Sequence, residues 1–165
     1  MELRDVIKNR RSIRKFKREK IPEYMLEKLV ECAMYAPSAR NRRPVHLIVV
    51  EDPKTIGELR NLRKSAFSFL ESAPLALIVA SENVDTWESD SAIVASYIQL
   101  CAVDLGLGSC WGHIVNRVEK EVRDLLGIPG DVRILCVIGL GFPDEEKPPH
   151  TESEIDKNRI HRGRW

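Results

Sequence analysis

The chain has 165 residues, 43% of them apolar and 31% charged, with a formal net charge of +1 at neutral pH. Those figures exclude a disordered chain and leave room for one domain with a sizeable core. A near-neutral balance also argues against a dedicated nucleic-acid binder, whose positive footprint is broader, and no apolar run reaches the roughly 18–20 residues that span a bilayer.

Glu2 to Lys8 reads as a short helix. Beyond it the charge is uneven: Lys8, Arg10, Arg11, Arg14, Lys15, Lys17, Arg18 and Lys20 crowd around Ser12. Such an excess wants an anion, which could be a nucleic-acid backbone, an acidic partner or a cofactor phosphate. If the segment is extended, Arg10, Ser12 and Arg14 face one way while Arg11 and Ile13 face the other. Guanidinium forks with a hydroxyl between them suit a phosphate or an imide edge. A plain solvated basic surface is the competing reading.

Pro22 then sits well for the first turn of a second helix, whose apolar stripe is Met25, Leu26, Leu29, Val30 and Ala33. Pro37 stops it, and Pro37–Pro44 is a polar loop in which Ser38 and Asn41 can present donors. Val45–Val50 reads as a buried strand and Leu75–Ala80 as another, with Pro53–Leu70 between them helical in one or two pieces. Ser91–Leu105 is apolar nearly all round, the mark of a central core helix or of one lying partly in a subunit interface. Gly106 and Gly108 end it and the extended piece Ser109–Ile114 follows. Val118–Leu126 is a further helix with a charged outer face, and Val132–Leu140 is a third good strand. After Gly141 the chain turns polar and proline-rich, yet Ile160 and Trp165 imply that this tail docks somewhere, in a small protein on a partner subunit.

The glycines around residue 106 follow a helix, not a strand, so a dinucleotide fingerprint is rejected. In Gly106–His113 the glycines allow backbone N–H groups to approach a flat or anionic ligand, and Trp111 could cover a ring or plug the core. Cys110 and His113 lack the orienting acid of a thiol enzyme and the further ligands of a zinc site. The cysteines Cys32, Cys101, Cys110 and Cys136 are widely spaced and are expected to be free thiols in a reducing compartment. His46 is expected to be a core or edge histidine. With no secretory leader evident, a cytoplasmic protein is expected. No paired carboxylates and no hydrolase elbow are present, so an enzyme of this sequence would take its chemistry from a cofactor.

Taken together, Arg10-Arg11-Ser12-Ile13-Arg14, the Ala36–Pro44 loop, Ala73-Pro74, Gly106–Trp111, Ile138–Pro143 and the closing His161 with Arg164-Trp165 resemble, in order, the nitroreductase family of flavin-dependent oxidoreductases. The resemblance implies an α+β fold with a central mixed or antiparallel sheet flanked by helices. It implies one domain over residues 1–165, an intertwined homodimer with an FMN at each interface site, and an arm, 142–165, docking on the partner subunit. By position, Arg10, Arg11, Ser12 and Arg14 would surround the FMN phosphate, ribityl chain and pyrimidine edge. Pro37, Ser38 and Asn41 would reach the flavin of the other subunit, and Cys110, Trp111 and Gly112 would lie near the isoalloxazine. No side chain would be catalytic and no metal, nucleic acid or membrane would be involved. Electrons would come from NADH or NADPH and pass through flavin N5 to a nitroaromatic, quinone or similar acceptor in a ping-pong cycle. A flavin- or nucleotide-binding regulatory module without turnover is the alternative on the same fold. Arg43 and Val45 stand where the family often has Gln and Trp. Ser153 and Glu154 stand where it often has a basic phosphate ligand, a role Lys147 or His150 could take only if the tail folds back.

Overall fold

The computed structural model describes all 165 residues. Four strands, β1 (Val45–Val50), β2 (Leu75–Glu82), β3 (Gly108–His113) and β4 (Val132–Gly141), form one sheet in the order β1-β2-β4-β3, every neighbouring pair antiparallel. Beside them lie five helices: α1 (Leu3–Asn9), α2 (Glu23–Met34), α3 (Pro53–Leu62), α4 (Trp87–Asp104) and α5 (Asn116–Leu126). A single parallel bridge, Ser12 to Ser109, extends the β3 edge and makes the whole arrangement mixed.

Strand periodicity divides the interior in two. On β2, Ala76, Ile78 and Ala80 face a cluster with Phe67, Phe69, Ile56, Leu59 and Val122, under α3 and α5. Leu75, Leu77 and Val79 face a second cluster with Leu26, Leu29, Val94, Ile98 and Ala102, under α2 and α4. A slip in register between Val79 and Ala80 leaves Leu135 unpaired. This bulge turns Leu135 and Cys136 to the same cluster, where strict alternation would have separated them. The result is three layers, with the sheet buried between two sets of helices.

Local chemistry explains the helix ends. Asp52 caps α3 by accepting from the Thr55 backbone N–H at 2.9 Å and hydroxyl at 2.6 Å, and Pro53 opens the first turn. Gly127, at φ +66°, ends α5 with a left-handed cap whose N–H donates to the Arg123 carbonyl.

Two expectations need correcting. Val45–Val50 has the predicted bounds but is an edge strand, mostly half-exposed, with only Val50 buried. His46 accordingly sits on the outer edge, 3.8 Å from Glu82. Glu119, which the charged outer face expected of this helix would place in solvent, is buried instead. One of its oxygens accepts from Arg123, Arg133 and the Ile134 N–H, each at 3.1 Å. Arg133 in turn lies 4.4 Å over the Trp87 ring, fastening α5 and β4 to the start of α4.

Gly139 lies on the inner strand β4, where a Cβ would sit 2.6 Å from the Phe69 ring. With β4 paired on both sides the backbone cannot yield. Gly139→Ala is expected to destabilise the fold by about 1–3 kcal/mol, read as a lower urea midpoint with an unchanged slope.

Candidate functional site

The basic segment runs along the β3 edge with isolated bridges at Ser12 and Phe16, and two apolar anchors hold it. Ile13 is buried, donates its N–H to the Ser109 carbonyl at 2.9 Å, and occupies the space over Gly108, where a Cβ would come within 2.9 Å of it. Phe16 is buried and its N–H donates to the Ser72 hydroxyl at 3.0 Å. Of this segment, Arg11 and Ile13 line the cleft described below, and Arg10, Ser12 and Arg14 do not. Arg10 forms the C-cap of α1 through its backbone and enters no ion pair. Arg14 reaches only the Ser12 carbonyl, at 3.4 Å.

The tail does fold back over this segment. Lys17 donates to the Phe142 carbonyl and Asp144 to the Lys15 carbonyl, both at 2.9 Å. Glu145 accepts from the backbone N–H groups of Arg14 and Lys15. Lys147 donates to the Ser12 carbonyl while lying 3.6 Å from Glu145, and Arg11 donates to the Pro148 carbonyl. The His150 N–H closes the strap on the Lys8 carbonyl at 2.8 Å. The Arg14 N–H bond, with Lys147 beside it, holds the Glu145 carboxyl below its ordinary pKa. Ser153 and Glu154 instead take part in the turn capped by Thr151, where Glu154 accepts from the Thr151 N–H and pairs with His150. Under the strap lies a cleft of about 780 Å³ whose walls include Asn9, Arg11, Gly106, Ser109 and Lys147. The Ser109 hydroxyl on that wall is buried and has no hydrogen-bond partner.

The floor is the outer edge of β3. Ile114 donates to Leu135 of β4, so Gly112 and Cys110 also point their backbone groups at β4, and Ser109, Trp111 and His113 point theirs outward. Ile13 takes the Ser109 carbonyl and Arg63 takes that of His113 at 2.7 Å. Trp111 is left between them with an edge N–H that the chain does not fill. Its side chain packs, half-buried, against the α2–α4 cluster. The glycines also make room for side chains of the same chain. Gly108 admits Ile13, and Gly112 admits Phe67 and Phe69, whose atoms would lie within 2.9 Å of a Cβ. Cys110 is buried in the other cluster, and burial raises its thiol pKa despite the nearby Arg14 and Lys147. A neutral thiol there is no nucleophile.

The loop that holds Pro37, Ser38 and Asn41 is built separately. Arg40, Asn41 and Arg43 have φ values of 54°, 55° and 51°, which side-chain-bearing residues seldom adopt. The Ser38 hydroxyl accepts from the Arg43 N–H at 2.8 Å, Asn41 accepts from Arg43 Nε at 3.0 Å, and Arg42 pairs with Asp85 at 2.6 Å. The main tether is Asp90, buried in the first turn of α4, which accepts from the Ala39 N–H at 3.0 Å and the Thr86 hydroxyl at 2.7 Å. Asp90 escaped the sequence reading because the helix was started at Ser91, which left Asp90 looking like an exposed flanking residue. Within one chain Pro37, Ser38 and Arg43 line a small cavity of about 100 Å³, separate from the cleft lined by Arg11 and Ile13. All four thiols are free, and no cluster of ligating side chains of metal-site size is formed.

Comparison with known proteins agrees with the fold. The model of the nitroreductase family matches residues 7–86 and 59–142. An FMN-dependent nitroreductase from Clostridium difficile R20291 superposes with a TM-score of 0.94 at 36% identity, covering 98% of this chain and 99% of that one. A protein of Archaeoglobus fulgidus, provisionally named an NADH dehydrogenase/NAD(P)H nitroreductase, is 35% identical over 97% of both chains. An oxidised iodotyrosine deiodinase solved with FMN and 3-iodo-L-tyrosine aligns at a TM-score of 0.81 and 26% identity over 99% of both chains.

Two outcomes follow from the geometry. Asp90→Ala removes the acceptor of the partly buried Ala39 N–H and of the Thr86 hydroxyl and is expected to cost about 1–3 kcal/mol, with faster tryptic cleavage at Arg40, Arg42 and Arg43. For the strap the sign is set by the lowered pKa of Glu145. Its contribution is complete above the ordinary carboxylate pKa and is lost as pH falls through the depressed folded value. Hydrogen-exchange protection of the Arg14 and Lys15 amides should therefore drop on acidification, and Glu145→Gln should remove that pH dependence.

Proposed function

The chain belongs to the nitroreductase family, and from that premise we propose that it is an FMN-dependent oxidoreductase. In this reading it passes two electrons from NADH or NADPH to a nitroaromatic, a quinone or a similar small acceptor in a ping-pong cycle. The observation that carries it is the unfilled Trp111 N–H on the outer edge of β3, between the Ser109 and His113 carbonyls that Ile13 and Arg63 take, beside a basic segment with uncommitted guanidinium groups.

The donors present fit such a cofactor. Arg10 and Ser12 would hold the phosphate and ribityl chain, and Arg14 would face the pyrimidine edge, where positive charge favours the reduced, anionic flavin. The Trp111 N–H would donate to the ring, with Cys110 and Gly112 as the inner strand positions on either side. Bound FMN would supply hydride-accepting and hydride-donating chemistry at its N5. Lys147 would support the phosphate side through the strap, whereas Ser153 and Glu154 are engaged with Thr151 and His150. Cys110, kept neutral by burial, takes no covalent part.

The second half of the site would come from a second copy of this chain, through Pro37, Ser38 and Asn41. Their separation from the basic segment within one chain supports this, as does the apolar groove of Leu3, Ile7, Tyr35, Tyr97 and Leu100 along α1, α2 and α4. The arm 142–165 has a matching character at its end, where Ile155, Ile160 and Trp165 are exposed and His161 stacks on Trp165 at 4.4 Å.

The purified protein is expected to be yellow and to bleach on anaerobic titration with NADH or NADPH, with colour returning when a quinone is added. Flavin that binds but resists both donors would make the chain a binding module, and failure to bind added FMN would sink the proposal. Arg10→Gln is expected to weaken FMN binding about tenfold to a hundredfold, as loss of a charge-assisted hydrogen bond requires, with circular dichroism unchanged.

A further inference from the structure

Arg63 stands at the opposite end of the β3 edge from the basic segment and has no part in holding the cofactor described above. It follows the last turn of α3, where its N–H donates to the Arg60 carbonyl at 3.3 Å and its carbonyl accepts from the Phe67 N–H at 2.8 Å. The backbone is therefore closed on both sides of the residue. The side chain is fixed as firmly. One guanidinium nitrogen donates to the His113 carbonyl at 2.7 Å, and the guanidinium carbon lies 5.5 Å from the centre of the Phe67 ring. That ring is fully buried and fills the space that Gly112 of β3 leaves open. β3 thus holds the guanidinium twice, directly at His113 and through Phe67 at Gly112.

A fixed guanidinium with its donors unspent is an anion site in waiting. The group has five N–H donors, of which the chain takes one. Glu71, in the turn that follows, is paired with Arg60 at 3.0 Å and not with Arg63. The side chain is only half-buried, so its free edge is open to a ligand. His113 and Trp111 are two residues apart, about 7 Å along the strand. That is close to the span of one aromatic ring with its substituent.

We propose that Arg63 selects the acceptor: it favours aromatic acceptors that carry a carboxylate, such as nitroaromatic or quinone acids, over their neutral counterparts. The inference rests on the flavin reading above, in which cofactor and acceptor would meet at the Trp111 gap. A single planar fork matches a single carboxylate in charge and in geometry. The phosphates of the nicotinamide donor are the competing anion.

The test is titration calorimetry of the FMN-saturated protein with benzoate and with benzamide, which share a ring and differ in charge. Flavin content is read by absorbance in the same samples. Wild type is expected to prefer benzoate, and Arg63→Gln to weaken benzoate about tenfold, as loss of a charge-assisted hydrogen bond requires, with benzamide moving far less. Arg63→Lys, which keeps the charge and loses the fork, should retain part of the preference. In turnover, the ratio of kcat/KM for para-nitrobenzoate over para-nitrobenzamide should fall in Arg63→Gln by a similar factor, through KM. If Arg63 only covered the His113 carbonyl, both ligands would weaken alike, and that result would overturn the proposal. So would unchanged benzoate affinity in Arg63→Gln with flavin retained, or an effect confined to the KM of NADH or NADPH. Wild-type protein that takes up no FMN would instead sink the flavin reading, and this inference with it.

Discussion

The outer edge of β3 is the constraint on which the rest of the site depends. A strand edge is a row of unpaired donors and acceptors, and a folded chain must cover it, twist it away or put it to use. Here Ile13 covers it at Ser109 and Arg63 covers it at His113, and between them Trp111 is open. The basic segment is extended because it serves as a partial fifth strand on this edge. That conformation, and no feature of the charges themselves, turns Ile13 into the core and leaves Arg11 on the cleft wall. The strap follows from the same requirement, since residues 142–150 satisfy the far side of the segment that covers β3.

Most elements were legible because their periodicity is decisive. The bounds of β1 were read to the residue, and α4 stood out by its apolar circumference, although its first turn was missed. Legibility failed where a residue's meaning depends on a distant partner. Glu119 has the spacing of a solvent-facing helical residue and is buried because Arg123 and Arg133 converge on it. Gly108 and Gly112 looked like ligand-approach glycines and are required by Ile13 and Phe67. A side chain that fills a glycine's missing volume leaves no mark in the local sequence.

The site divides in a similar way. The alternation of Arg10, Ser12 and Arg14 was visible, as was the condition that Lys147 could contribute only with the tail folded back. The anchors behind them were not visible: Ser72 beneath Phe16, Asp90 beneath Ala39, and Glu145 against the Arg14 backbone. Each is a polar side chain whose role is to satisfy a backbone N–H far away in sequence, and no spacing rule encodes that.

The contrast between the β3 floor and its strap has a consequence for motion. The floor is a strand paired to β4, itself buried on both faces, so it opens only when the domain unfolds. The strap is held by a handful of polar contacts, most of them open to water, and elements of that kind open well below the global unfolding free energy. The two walls of one cleft therefore keep different time. A molecule entering it meets a rigid surface on one side and, on the other, a segment that can release and re-form many times within the lifetime of the fold.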